Sequence, residues 1–125
     1  MLLSSDESNL YLTSIFQHLL LTIKADLSAE WPRESGLGQQ PGFMACSPDG
    51  KWLYICDCLG NNLIFVDAQT GTVSHTVRLG EGPLQCVMTR DGQYLWIGYI
   101  HRPYATCVDL QTRKVVADVN NVLVR

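Results

Sequence analysis

Cys56, Asp57 and Cys58 alternate so that two thiols fall on one face of an extended segment, a spacing that could chelate a soft cation such as zinc. Zinc in structural sites takes about four ligands, and the usual Cys pairs stand two to four residues apart with a second pair nearby. No second pair exists among Cys46, Cys56, Cys58, Cys86 and Cys107, so neither a metal nor any other cofactor is expected. His18, His75 and His101 could in principle serve acid–base chemistry or ligate haem. The chain lacks a Cys-x-x-Cys-His run, a Gly-x-Ser-x-Gly elbow and a His-Glu-x-x-His helix, so covalent haem, serine-hydrolase and zincin chemistry find no support. What remains is a set of polar residues in short loop-like segments: Asp57, Asn61, Glu81, His101 and Arg102. These groups can hydrogen-bond or charge-pair with a ligand, and no catalytic residue is assigned among them.

The segments that must position these residues recur. Ser47-Pro48-Asp49-Gly50-Lys51-Trp52-Leu53-Tyr54-Ile55 lines up with Thr89-Arg90-Asp91-Gly92-Gln93-Tyr94-Leu95-Trp96-Ile97, 42 residues on. Ser5-Asp6-Glu7-Ser8-Asn9-Leu10-Tyr11-Leu12 is a looser copy, 43 residues earlier. A second landmark keeps the period, since Phe65-Val66-Asp67-Ala68-Gln69-Thr70-Gly71 answers Cys107-Val108-Asp109-Leu110-Gln111-Thr112-Arg113 at 42 residues. Within each copy, Asp-Gly between runs of aromatic and β-branched residues predicts a tight turn joining two strands, because glycine accepts the positive φ such turns need.

Runs such as Trp52-Leu53-Tyr54-Ile55 are apolar throughout rather than alternating, which implies a sheet buried on both faces. A four-stranded sheet recurring at about 40–45 residues and stacked face to face on its neighbours is the pattern of a β-propeller blade. The expected fold is therefore all-β, a partial propeller of about three four-stranded antiparallel blades. Residues 41–83 and 84–125 form the two clear blades. Residues 1–40 form a degraded one with a long loop, in which a helical turn near Ile15 to Leu21 is an alternative. In the second blade the strands are expected near Phe43 to Cys46, Lys51 to Cys56, Asn62 to Asp67 and Thr72 to Leu79. The strand aromatics Trp52, Tyr54, Tyr94, Trp96 and Tyr99 are then expected to pack between blades, with Cys46 and Cys86 also in the core and His75 facing solvent.

These repeats resemble the YVTN-type β-propeller family. The resemblance rests on Ser47-Pro48-Asp49-Gly50, Leu53-Tyr54-Ile55, Val66-Asp67-Ala68-Gln69-Thr70-Gly71 and Gly80-Glu81-Gly82-Pro83, and it covers residues 41–118 well. The Gly-His and Trp-Asp dipeptides of WD-type repeats do not occur. The resemblance implies a rim on which the loops from second to third strand and from outer to next inner strand emerge together. On this chain these are Asp57 to Asn61, Tyr99 to Pro103 and Leu79 to Pro83. Family members include lactonase-like enzymes, oxidoreductase subunits and plain binding modules, so the fold leaves the activity open.

Composition narrows the function classes. The 125 residues are 46% hydrophobic, ample for one core, and their formal charge is −3. An acidic chain offers no field for a nucleic-acid backbone, so no nucleic-acid partner is expected. The apolar stretch Leu19 to Ile23 is far shorter than the roughly 20 residues a membrane helix needs, and no membrane association is expected. An odd number of cysteines and no signal-like N-terminus favour the cytoplasm, with the periplasm open to a piece of a longer protein. The leading expectation is a non-catalytic propeller segment binding a protein or small molecule at its loop rim. The alternative is part of a propeller enzyme, a lactonase-like metal-dependent hydrolase or an oxidoreductase subunit. About three blades cannot close a ring, so the expectation is a partial propeller belonging to a longer protein, with copies of the chain completing one ring as the alternative.

Overall fold

The computed structural model describes residues 1–26, 29–33 and 37–120. They form three four-stranded antiparallel sheets. The first holds β1 (Leu2–Leu3), β2 (Asn9–Ser14), β3 (Leu19–Lys24) and β4 (Ala29–Arg33). The second holds β5 (Pro41–Cys46), β6 (Trp52–Asp57), β7 (Asn62–Asp67) and β8 (Val73–Arg78). The third holds β9 (Pro83–Met88), β10 (Tyr94–Tyr99), β11 (Tyr104–Asp109) and β12 (Lys114–Asn120). Every sheet is a meander, each strand pairing with the one before it in sequence. The expected degraded first copy thus has all four strands, and Ile15 to His18 form a turn rather than a helix. Residues 34–36, in the loop expected after β4, and 121–125, expected in the third blade, lie outside the described residues.

The turns between first and second strands show why the repeat keeps its residue types. Ser47 Oγ donates to Asp49 Oδ1 at 2.6 Å, Lys51 N donates to the same oxygen at 2.9 Å, and Trp52 N donates to Ser47 Oγ at 2.9 Å. Thr89, Asp91, Gln93 and Tyr94 repeat this network, as do Ser4, Asp6, Ser8 and Asn9. A hydroxyl and a carboxylate two residues apart therefore satisfy the turn's backbone donors. The loose first copy differs in placing Glu7, at φ 61°, where the others have Gly50 and Gly92. Side chain stands where glycine would be favoured, and the turn is kept by its hydrogen bonds.

These bonds lower the pKa of Asp49 and Asp91, through Ser47 and Lys51 in one turn and Gln93 and Thr89 in the other, and they hold Asp6 at about 2 through Ser8 and Ser4. A carboxylate with a depressed native pKa stabilises the fold above its unfolded value near 4, and that contribution is lost as pH falls toward the native value. We expect stability to drop between about pH 4 and pH 2. The triple variant Asp6→Asn, Asp49→Asn and Asp91→Asn should flatten that part of a denaturation-versus-pH curve, and an unchanged slope would refute the assignment.

Two apolar clusters hold the sheets together. Between the first and second lie Tyr11 and Leu20 against Leu53, Ile55, Ile64 and Val66. Between the second and third, Tyr54, Leu63 and Phe65 meet Leu95, Ile97 and Val108. The middle sheet is thus covered on both faces, which is why β6 and β7 are apolar without alternation. Each such side chain, fully buried, contributes about 1.5–3 kcal/mol of transfer free energy.

Phe65 also meets the Tyr54 ring edge-on, with centroids 5.1 Å apart. Cys46 and Cys86 are half-buried at the margins of these clusters. The Cys56 thiol hydrogen-bonds Cys86 across the interface. That bond and burial raise the pKa of Cys56, while accepting it lowers that of Cys86. Trp96 departs from the expected core position. It is 37% exposed, because it points away from the second sheet and none of the described sheets covers it.

Candidate functional site

The loops that close the strands opposite the Asp-Gly turns gather at one end of the three sheets. Asp57 ends β6, and its side chain is only 1% exposed. Its carboxylate accepts backbone N–H groups from Gln39 at 3.0 Å, Gln40 at 2.8 Å and Gly60 at 3.0 Å. Asp57, expected at the rim as a ligand-binding group, thus has its carboxylate engaged by backbone donors. The carboxylate is turned inward and engaged in tying the loop before β5 to the turn after β6. Gly60 packs directly against it, and a Cβ there would run into the carboxylate. The turn needs glycine for this close approach.

Asn61 takes a left-handed φ of 59°, a conformation asparagine tolerates well, which turns the chain into β7. From there its Oδ1 accepts Gly82 N at 3.1 Å and its carbonyl accepts Leu79 N at 2.8 Å. Asn61 thus organises the 79–82 loop that carries Glu81. A second device holds the same loop. Gly80 N donates to the Tyr99 hydroxyl at 3.3 Å, Tyr99 meets Thr106 Oγ1 at 2.7 Å, and Thr106 donates to Asp118 Oδ1 at 2.7 Å. Since Thr106 gives its proton to Asp118, Tyr99 donates to Thr106. Burial raises the Tyr99 pKa, and the ring stacks on Tyr104 with centroids 4.6 Å apart.

Between these loops opens a cavity of about 570 Å³. Glu81, His101, Arg102 and Asn61 line it, together with Gln40, Cys58, Leu59 and Ile100. Four of the five residues singled out from the sequence thus meet around one opening, while Asp57 lies beneath it. Arg102 Nη2 stands 3.6 Å from Glu81 Oε1, both largely exposed, a pairing worth about 0–1 kcal/mol. Such a weak pair is cheaply opened, leaving one group of each charge for an incoming molecule.

The apolar residues of the opening were missed in the sequence. Leu59 and Ile100 are exposed in turns that are otherwise polar or small, and that contrast was the available signal. The cavity offers hydrogen-bond donors and acceptors, both charge signs and two aliphatic contacts.

The Cys56 and Cys58 thiols do not converge on one face. Cys56 is buried in the interface between sheets and Cys58 opens toward the cavity. Among the described residues, no cluster of three or more His, Cys, Asp or Glu could hold an ion. His75, in β8, is exposed and meets Phe65 edge-on at 5.9 Å. No helix among the described residues is long and apolar enough to cross a membrane.

No protein-family model matches this chain, and no curated protein matches it in sequence. Its architecture is well represented among solved structures. A chain of hydrazine synthase from Kuenenia stuttgartiensis superposes with a TM-score of 0.88 at 20% identity, covering 96% of this chain and 34% of that one. The structure of U3-55K gives 0.79 at 15% identity, covering 96% and 38%. The WD40 repeats of RRP9 give 0.80 at 16% identity, covering 96% and 37%. This chain therefore spans little more than a third of each of these structures. At such identities the likeness concerns fold alone, and with three meandering four-stranded sheets it places the chain among β-propellers, with three consecutive blades.

Proposed function

We propose that this chain is a non-catalytic β-propeller scaffold that docks a protein or small-molecule ligand in the rim cleft, with Glu81, His101, Arg102 and Asn61 as its polar contacts. The observation that carries the reading is their convergence, with exposed Leu59 and Ile100, on one opening of about 570 Å³. Loops on a rigid sheet scaffold are the usual place for recognition, and the tied-down 79–82 loop presents Glu81 with little ordering left to do. The Ser-Pro-Asp-Gly and Val-Asp-x-x-Thr-Gly turns support reading the repeats as YVTN-like. Five free thiols, two of them in one buried contact, favour a reducing compartment. The likeness to a WD40-repeat structure supports a scaffold role, and that to a hydrazine synthase chain keeps an enzyme portion as the alternative.

A photo-crosslinking residue placed at position 101 should capture a partner that the same residue at position 111, in the turn between β11 and β12, does not. The double variant His101→Ala and Arg102→Ala is expected to bind the captured partner about tenfold or more weakly, about 1.4 kcal/mol. Equal capture at both positions, or an unchanged affinity, would overturn the rim assignment. Turnover of the captured ligand would overturn the non-catalytic part.

A further inference from the structure

At the end of the sheets opposite the rim, the turns joining first to second strands in the second and third sheets stand against one another. A Cβ at Gly92 would come within 2.7 Å of Pro48 Cδ, and beside this contact opens a cleft of about 460 Å³. Asp49 and Asp91 border it from the two turns, with Gln93 and Gln111 beside them and Trp52 and Tyr54 of β6 as its aromatic wall. Among the described residues, no lysine or arginine lines it. The repeat does not dictate this lining. The corresponding opening between the first and second sheets, of about 400 Å³, has Asn9 at the position of Trp52 and Lys51 at that of Gln93.

Tyr54 is only 4% exposed, yet its hydroxyl makes no hydrogen bond among the described residues, whereas the hydroxyls of Tyr94 and Tyr99 both find partners. Burial and the neighbouring Asp49 carboxylate push its pKa up to about 12, so at neutral pH it is an uncharged phenol with its oxygen free to accept. An unpaired buried hydroxyl is costly, and a group that enters the cleft and bonds it removes that cost. The residues around it are also left with free acceptors. Asp49 uses Oδ1 for Ser47 and Lys51, and Asp91 uses Oδ1 for Thr89 and Gln93, so Oδ2 of each is free among the described residues. Gln93 donates its amide N–H to the Tyr94 hydroxyl, which leaves its Oε1. A donor-rich cation complements such a set, and guanidinium carries about five N–H donors in one plane that also lies well on an aromatic ring. The chain's own Arg113 makes that kind of contact with the wall, its Cζ standing 5.5 Å from the Trp52 centroid and 5.7 Å from that of Phe65. Arg113 does not line the cleft, so the acceptors stay unmatched.

We propose that this turn-side cleft binds the guanidinium of an arginine in a partner polypeptide, with Asp49, Asp91, Gln93 and Tyr54 accepting its N–H groups and Trp52 covering its plane. The site lies at the other end of the sheets from Glu81 and His101, so it stands whether or not the rim holds a ligand. Its walls are the second and third sheets alone.

Calorimetric titration of the chain with acetyl-Gly-Arg-Gly amide should show saturable binding. The same peptide with citrulline, which keeps the shape and loses the charge, should bind about tenfold or more weakly. Tyr54→Phe removes the hydroxyl and none of the turn hydrogen bonds, while Gln93→Lys brings a cation to the cleft from an exposed position. Each is expected to weaken binding of the arginine peptide about fivefold or more. The urea midpoint of Tyr54→Phe should stay level or rise, because an unpaired buried hydroxyl is gone. If Gln93→Lys loses its β-sheet circular dichroism, Gln111→Lys, at another exposed position of the cleft, repeats the test. Equal binding of the two peptides overturns the proposal. So does binding that either folded variant leaves unchanged, which would mean adventitious pairing with surface carboxylates elsewhere. A lowered midpoint for Tyr54→Phe also overturns it, by assigning the hydroxyl to a structural water.

Discussion

Asp57→Ala is expected to lower unfolding free energy by about 3 kcal/mol, although the substitution removes a buried charge from the protein interior. The carboxylate takes three backbone N–H groups, and two of them, Gln39 and Gln40, belong to the segment leading into β5. Removing it leaves these donors and Gly60 N without their acceptor. Each unsatisfied buried donor costs about 1–3 kcal/mol. The figure stays below the simple sum because Gln39 is exposed, so water can replace part of what is lost. Asp57→Asn should cost less than the alanine change, since one oxygen can still accept from Gln40 and Gly60. Its amide would face Gln39 N with a donor. Urea denaturation of the two variants checks the order. A loss under about 1 kcal/mol for Asp57→Ala would mean that the carboxylate is not the tie the structure shows.

Gly92→Val is expected to be similarly damaging, at about 2–4 kcal/mol, and more so than Gly50→Val at about 1–2 kcal/mol. Both glycines sit in left-handed turns, with φ 75° and 77°, where a β-branched residue is strained. What separates them is their surroundings. A Cβ at Gly92 would come within 2.7 Å of Pro48 Cδ in the neighbouring sheet's turn, whereas one at Gly50 meets nothing nearer than Ser5 Oγ at 3.9 Å. Comparing denaturation midpoints for the two variants isolates the contact from the backbone strain they share. Equal losses would mean that Pro48 yields freely.

The rim is where sequence and structure diverge most instructively. Asp57, Asn61, Glu81, His101 and Arg102 stand at strand ends and in loops that the resemblance to the YVTN-type family implies emerge on one rim. Four of these residues line the cavity while the fifth, Asp57, is buried beneath it. Residue type and loop position could not separate them, because a carboxylate at the end of a strand can turn outward to water or inward to backbone donors. The choice follows from the path of the 37–40 segment, which is set by how the first sheet packs on the second. Nor could spacing show that Leu59 and Ile100 join the same opening.

What the sequence determined by itself was the repeating unit: strands, turns and their 42-residue period, all fixed by short-range chemistry. Ser47, Asp49 and Gly50, like Thr89, Asp91 and Gly92, bond within their own turn, and the apolar runs of β6 and β7 announced a sheet covered on both faces. Only the tertiary structure decided which faces are covered, that Trp96 is exposed while its repeat equivalent Tyr54 is buried, and that Asp57 binds its own backbone. The reason is physical: turns and strand pairing are satisfied by neighbours in sequence, while burial of a face depends on whether another sheet comes to lie against it.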